Sequence, residues 1–202
     1  MPPDNHSSGP QFKLRANAFQ GTRTYRLTDD ALTWEEEGKP LDGVFYDDIA
    51  EVRLAFVPTR VSRNRYRTQT IFRQGGMVEL FNTDYQGLGK LPEKNEEYVA
   101  FLRELHRRIA ASAAPTLFRK GNSTFAYVFN LLLTLFIFAM VALAFLLLAN
   151  LGLIWIAVIK LGIILFFIPT LIRYIRRAKP ATYDPLHVPD DMLPVESVST
   201  PA

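Results

Sequence analysis

The chain has 202 residues, with 23 Lys and Arg against 20 Asp and Glu, a net charge of +3, and no cysteine. Without thiols, disulfide scaffolds, thiolate metal sites and cysteine nucleophiles are excluded. The positive charge does not indicate a nucleic-acid binder, which needs it on a folded domain: residues 11–117 hold 16 basic and 15 acidic side chains, and the excess falls at Arg119 and Lys120, then at Arg173, Arg176, Arg177 and Lys179.

The opening "MPPDNHSSGPQ" has neither a basic nor an apolar region of the kind a signal peptide needs, and residues 1–11 read as a disordered N-terminus. Short strands and tight turns follow from Thr24 to Tyr85. "TYRLT" meets Asp29-Asp30, and "ALTWEEEG" sets Leu32 and Trp34 on one face. In "DDIAEVRLAFVP", Val52, Leu54 and Phe56 recur at period two, the mark of a half-buried strand. "RYRTQTIFRQGGMVELFNTDY" reads as a hairpin with Gly75-Gly76 at its tip, where a tight turn needs positive φ.

The stretch "TRVSRNRYR" concentrates Arg60, Arg63, Arg65 and Arg67. In an extended chain Arg63, Arg65 and Arg67 would project to one side and Tyr66 to the other. Guanidinium groups pair bidentately with phosphate and carboxylate, so one reading is contact with anionic lipid headgroups or an acidic partner. The other is a solvated edge strand whose arginines discourage edge-to-edge pairing.

No catalytic constellation emerges. "GLGK" at residues 87–90 lacks the first glycine of a phosphate loop, and Leu91 stands where Ser or Thr should hold magnesium. The runs Glu35–Glu37 and Asp47-Asp48 read as solvated turns. His6 and His187 lie in the two ends, and His106 is placed on a helix surface beside Arg107 and Arg108. That helix is "PEKNEEYVAFLRELHRRIAAS", with Tyr98, Phe101, Leu102, Leu105 and Ile109 at helical spacing, Glu early and Arg late as its dipole favours. The expectation is no enzyme, no cofactor and no metal.

Several antiparallel strands closed by one amphipathic helix make an α+β domain. The phrases "YRLTDDALTWEEEG", "VFYDDIAEVRLAF", "TIFRQGGMVELF" and "EEYVAFLRELHRRI" together resemble the pleckstrin-homology (PH-like) superfold, in particular the short bacterial PH-like domains attached to membrane helices. The resemblance covers residues 11–112. It implies a partly open β-barrel of about seven strands, plugged by a C-terminal capping helix, and a binding or scaffolding role. Phosphoinositide binding is not implied, because the turn between the first two strands of the pattern, Thr28-Asp29-Asp30, is acidic. The domain is placed at residues 12–113, and residues 114–124 as a juxtamembrane linker.

Residues 125–172 are almost unbroken apolar sequence with one charge, Lys160. A straight helix of that length would reach about 70 Å, against about 30 Å of bilayer hydrocarbon, so the run predicts two transmembrane helices rather than one. Asn150-Leu151-Gly152 is the one plausible corner. A transmembrane hairpin over residues 125–175 is expected, with spans near 125–149 and 153–172. Basic residues stay on the cytoplasmic side. Arg119 and Lys120 flank the first span and Arg173, Arg176, Arg177 and Lys179 the second, which puts both termini in the cytoplasm of a bacterial-type inner membrane.

Within the spans Lys160 either snorkels to headgroups or pairs with another protein, since neither span contains Asp or Glu. Asn130 and Thr134, one turn apart, offer a polar seam for helix association, although a hydroxyl can equally bond its own helix. The last segment, 176–202, is basic and then acidic, carries five prolines after Lys179 and reads as a disordered tail. The expected function is a membrane-anchored PH-like binding and scaffolding protein, its partners the lipid bilayer and a membrane protein or a second copy. The alternative is an accessory subunit of a transporter or envelope complex, associating through the hairpin.

Overall fold

The computed structural model describes residues 9–87, 89–121, 124–150 and 179–194. The chain divides into two units, one formed by Met1–Lys120 with Ala181–Ala202 and the other by Gly121–Pro180.

The first unit is α+β. Strands β1 (Gln11–Leu14), β2 (Arg23–Leu27), β3 (Ala31–Glu36) and β4 (Asp42–Phe45) form an antiparallel sheet in chain order. Gly9 lies so close to this sheet that a Cβ there would stand 1.8 Å from the Leu27 carbonyl oxygen, which only glycine permits. Leu27 N donates to the Pro10 carbonyl and Gln11 belongs to β1, so the expected disorder ends before Gly9; residues 1–8 lie outside the described residues.

The second sheet is mixed. Strands β5 (Ile49–Phe56), β6 (Tyr66–Phe72) and β7 (Met77–Phe81) are antiparallel, and Gly75 and Gly76 turn the β6–β7 hairpin with φ of 89° and 93°. Helix α1 (Asn95–Ala111) follows, and Tyr98, Phe101, Leu102, Leu105 and Ile109 are all buried, as their spacing predicts. It packs between the sheets: Phe12 of β1 lies 6.1 Å from the Tyr98 ring and 5.7 Å from Phe101, and the Tyr98 hydroxyl is 2.6 Å from Thr68 Oγ1 on β6. Trp34 on β3 stacks on Phe72 of β6.

Two further strands correct the sequence reading. Residues expected to be linker form β8 (Leu117–Lys120), which lies parallel to β5 from Glu51 beside Leu117 to Leu54 beside Lys120. Residues expected to be disordered tail return as β9 (Ala181–Thr182), antiparallel to β8, with Lys120 opposite Ala181. Beyond β9, Met192 and Leu193 are buried in the core of the same domain, 1% and 7% exposed. Low overall hydrophobicity hid this segment, because its ordering rests on three well-placed side chains, Tyr183, Met192 and Leu193, rather than on a periodic run. Burying the last two contributes on the order of 1.5–3 kcal/mol each. Residues 195–202 lie outside the described residues.

In the second unit, α2 (Thr124–Asn150) matches the first expected span within one residue at each end. Its 27 residues reach about 40 Å at 1.5 Å each. Over Tyr127–Ala144 it is long and apolar enough to cross a membrane, and none of that stretch is buried. Asn130 and Thr134 belong to this helix. The second expected span, the corner residues Leu151 and Gly152, Lys160, Arg173, Arg176 and Arg177 lie outside the described residues; Lys179 is exposed just before β9.

Candidate functional site

The four arginines of "TRVSRNRYR" do not form one stripe. Arg67 lies on β6, an interior strand paired on both sides, and its Nη1 meets Glu79 Oε1 at 3.4 Å; the edge-strand reading therefore fails. Arg65 is half-buried, its guanidinium 4.0 Å from the centre of the Phe81 ring. Burial lowers its pKa from the ordinary arginine value, with Glu79 opposing. Arg60 and Arg63 alone are exposed and make no ion pair among the described residues. Extended geometry holds only at Tyr66 and Arg67, on β6, while Arg63 and Asn64 turn, because the backbone between β5 and β6 is held closed.

That turn is built from side chains the sequence supplies locally. Val57 N donates to the Arg65 carbonyl at 2.9 Å, Thr59 N to the Ser62 carbonyl at 2.8 Å, and Ser62 N to Thr59 Oγ1 at 3.0 Å. Asn82, fully buried, holds the loop from below, its Nδ2 donating to the Asn64 carbonyl and to Asn95 Oδ1 while its Oδ1 accepts from Tyr66 N. Arg60 and Val61 are left at the tip, with Val61 54% exposed.

The β1–β2 loop lies alongside, bridged by Arg65 Nη2 to the Ala16 carbonyl at 3.4 Å. Asn17 Oδ1 accepts from the backbone of Phe19 and Gln20, and Arg15 donates to the carbonyls of Gln20 and Ala18. Phe19 is 99% exposed at the loop tip. Sequence reasoning passed over it, although a phenylalanine inside the turn-rich "NAFQG" is the available signal. The two loops together, residues 15–22 and 57–65, contain Arg15, Arg60, Arg63 and Arg65 and no acidic residue.

Acidic turns lie at the opposite end of the strands, together with Arg73, Arg107 and Arg108. Asp29 and Asp30 turn β2 into β3, and Asp47 and Asp48 lie in a short 3₁₀ turn before β5, with Tyr46 N bonded to the Asp30 carbonyl. A cavity of about 370 Å³ there is lined by Asp29, Asp30, Tyr46, Asp47, Arg107 and Arg108. Its charges answer one another: Arg108 donates to the Thr28 carbonyl, Asp29 and Glu104. The two ends of the strands therefore differ in which basic groups are free: Arg60 and Arg63 make no ion pair among the described residues, whereas Arg108 is paired with Asp29 and Glu104.

Arg119 and Lys120 are strand residues, and Lys120 Nζ pairs with Asp191 at 3.0 Å. His106 departs from expectation most: it is fully buried, with both ring nitrogens engaged, because Phe118 and the returning Tyr183 cover the helix face that carries it. No group of three or more His, Cys, Asp or Glu side chains among the described residues is placed to hold a metal ion.

No family model matches the chain, and no curated protein matches it. Among solved structures, a chain in "Structure of the Spt16D Pob3N heterodimer" is similar at a TM-score of 0.34 and 11% identity, over 56% of this chain. This chain covers 56% of that one.

Proposed function

We propose that this chain is an integral membrane protein that presents a PH-like binding and scaffolding domain at the cytoplasmic face of a bacterial-type plasma membrane, held there by a two-helix hairpin, and that it is not an enzyme. The observation that carries the reading is the β8–β9 pair, in which the chain leaves the domain at Lys120 and rejoins it at Ala181, directly opposite. Facing residues in an antiparallel pair lie about 5 Å apart. A segment of 60 residues, Gly121–Pro180, thus starts and finishes at nearly one point. It contains one helix about 40 Å long and then further apolar sequence to Ile172. An even number of crossings returns a chain to its starting face, and two fit this length.

The PH-like reading is supported by the element order: seven antiparallel strands in two groups, then α1 packed between them. A binding role is supported by Arg60 and Arg63, exposed and without an ion pair among the described residues on the 57–65 loop, whereas the buried His106 has no nitrogen left for catalysis. Because the native chain lacks cysteine, single cysteines report topology cleanly. A membrane-impermeant maleimide applied to intact cells should label Leu151→Cys and leave Ser7→Cys and Ser199→Cys unlabelled. Labelling of either terminal cysteine would overturn the topology.

A further inference from the structure

We infer that the loops 15–22 and 57–65 make a second, peripheral contact with the bilayer: Arg60 and Arg63 pair with anionic lipid headgroups, and Phe19 and Val61 sink among them. The inference rests on the membrane reading above and adds a surface and a lipid class to it.

Position is the first argument. β8 runs parallel to β5, so both strands leave the sheet at the same end. β5 continues into the Arg60–Arg63 turn, and β8 continues towards the apolar helix. Only four peptide links separate Lys120 from Thr124, a reach of at most about 14 Å. The chain thus leaves the domain for α2 from the same end that carries the Arg60–Arg63 turn. Arg60 and Arg63, exposed and without an ion pair among the described residues, suit the attraction of an anionic leaflet for nearby basic side chains.

The construction of the loops is the second argument. An apolar tip enters the interface cheaply only when its backbone groups are already satisfied. The amides of Phe19 and Gln20 are bonded to Asn17 Oδ1, and the carbonyls of Ala18 and Gln20 to Arg15. The Thr59–Ser62 turn is closed by its own bonds. Phe19, 99% exposed, and Val61, 54% exposed, are thus held outward on satisfied loops. Two apolar tips on separate loops, with Arg60 and Arg63 on either side of Val61 and unpaired among the described residues, suit a fluid surface that conforms to them better than the rigid groove of a protein partner.

The test uses the full chain reconstituted into vesicles of phosphatidylcholine alone or mixed with phosphatidylglycerol, with spin-labelled acyl chains as quenchers. A fluorophore is placed at Val61→Cys, with Phe19 retained, or at Asp29→Cys at the opposite end of the strands as reference. Quenching at position 61 should exceed that at 29 in the anionic vesicles. It should fall towards the reference level without phosphatidylglycerol, in molar salt, or when Arg60 and Arg63 are both replaced by Ala. That double replacement should lower the ratio of docked to undocked domain on the order of 30-fold, with the circular dichroism spectrum unchanged. Phe19→Ser should weaken quenching while keeping its salt dependence.

Equal quenching at 61 and 29, in protein that still floats with the vesicles at alkaline pH, would overturn this inference and leave the anchor intact. Protein stripped from the vesicles at alkaline pH would overturn the anchor and this contact together. Quenching indifferent to phosphatidylglycerol and to both arginines, with crosslinks from position 61 to a membrane protein in native membranes, would assign the surface to that protein instead.

Discussion

The imidazole of His106, on α1, is joined to the hydroxyl of Tyr183, 77 residues later, by a hydrogen bond of 2.7 Å. Nδ1 faces the Leu102 carbonyl at 2.8 Å, and a carbonyl can only accept. Nδ1 therefore carries the proton, and Nε2 accepts from Tyr183. This bond closes the returning segment over the helix and makes its attachment sensitive to pH.

Burial pushes His106 down to about 4 from an ordinary 6.5, against the Leu102 carbonyl, which pulls the other way. Between those two values the unfolded chain binds a proton that the folded chain does not. Stability is complete above pH 6.5 and declines as pH falls towards 4, by up to on the order of 3 kcal/mol. Urea unfolding monitored by circular dichroism across this range should show the decline, and His106→Leu should flatten it. A second loss, from Glu104, belongs to lower pH: hydrogen bonds from Arg107 foremost, and from Arg108, hold its carboxyl at about 2 instead of 4.5.

Tyr183→Phe removes one hydroxyl and leaves the buried Nε2 without a donor. The expected cost is about 1–3 kcal/mol. Thermal unfolding should register it as a lower midpoint, and hydrogen exchange should report faster opening of β9 than of β5.

Deleting residues 181–202 exposes Phe118, frees the outer edge of β8 and removes Met192 and Leu193 from the core. A loss of about 3–6 kcal/mol follows from those two side chains alone, comparable to the whole stability of a small domain. The truncated chain should show increased protease sensitivity within residues 11–120, whereas Met192→Ala, costing about 2–5 kcal/mol, should show a milder form of the same change. Normal protease resistance after truncation would contradict the structural role of the returning segment.

The arginines should separate by environment. Arg60→Ala and Arg63→Ala should change stability by less than about 0.5 kcal/mol, as expected of surface positions without a special contact. Arg65→Ala gives up a partly desolvated contact with Phe81 and should cost about 1–2 kcal/mol. Lys120→Ala, at a partly exposed pair with Asp191, should cost less than about 1 kcal/mol. Denaturant midpoints for the four variants, compared at one pH and salt concentration, test the ordering.

Much of the domain was legible because periodicity is a local property. Five apolar residues at helical spacing mark the buried face of α1, period-two alternation marks β5, and paired glycines mark the β6–β7 turn; in each case the side chains that define the element lie within one short window. The candidate site was only half legible. Clustered arginines announce a basic region, but whether each points to solvent, to Phe81 or to Glu79 depends on residues well outside the cluster.

By itself the sequence determined the α+β order of the domain, the long apolar helix and the location of the excess positive charge, since all three follow from composition and spacing along the chain. Tertiary structure alone decided that His106 is buried, that β6 is interior, that Phe19 and Val61 stand exposed on two bonded loops, and that residues 181–194 complete the fold. The physical reason is one of range: a strand of two residues and two buried side chains acquire their stabilisation from surfaces assembled by distant segments, and they leave no repeating pattern in their own neighbourhood.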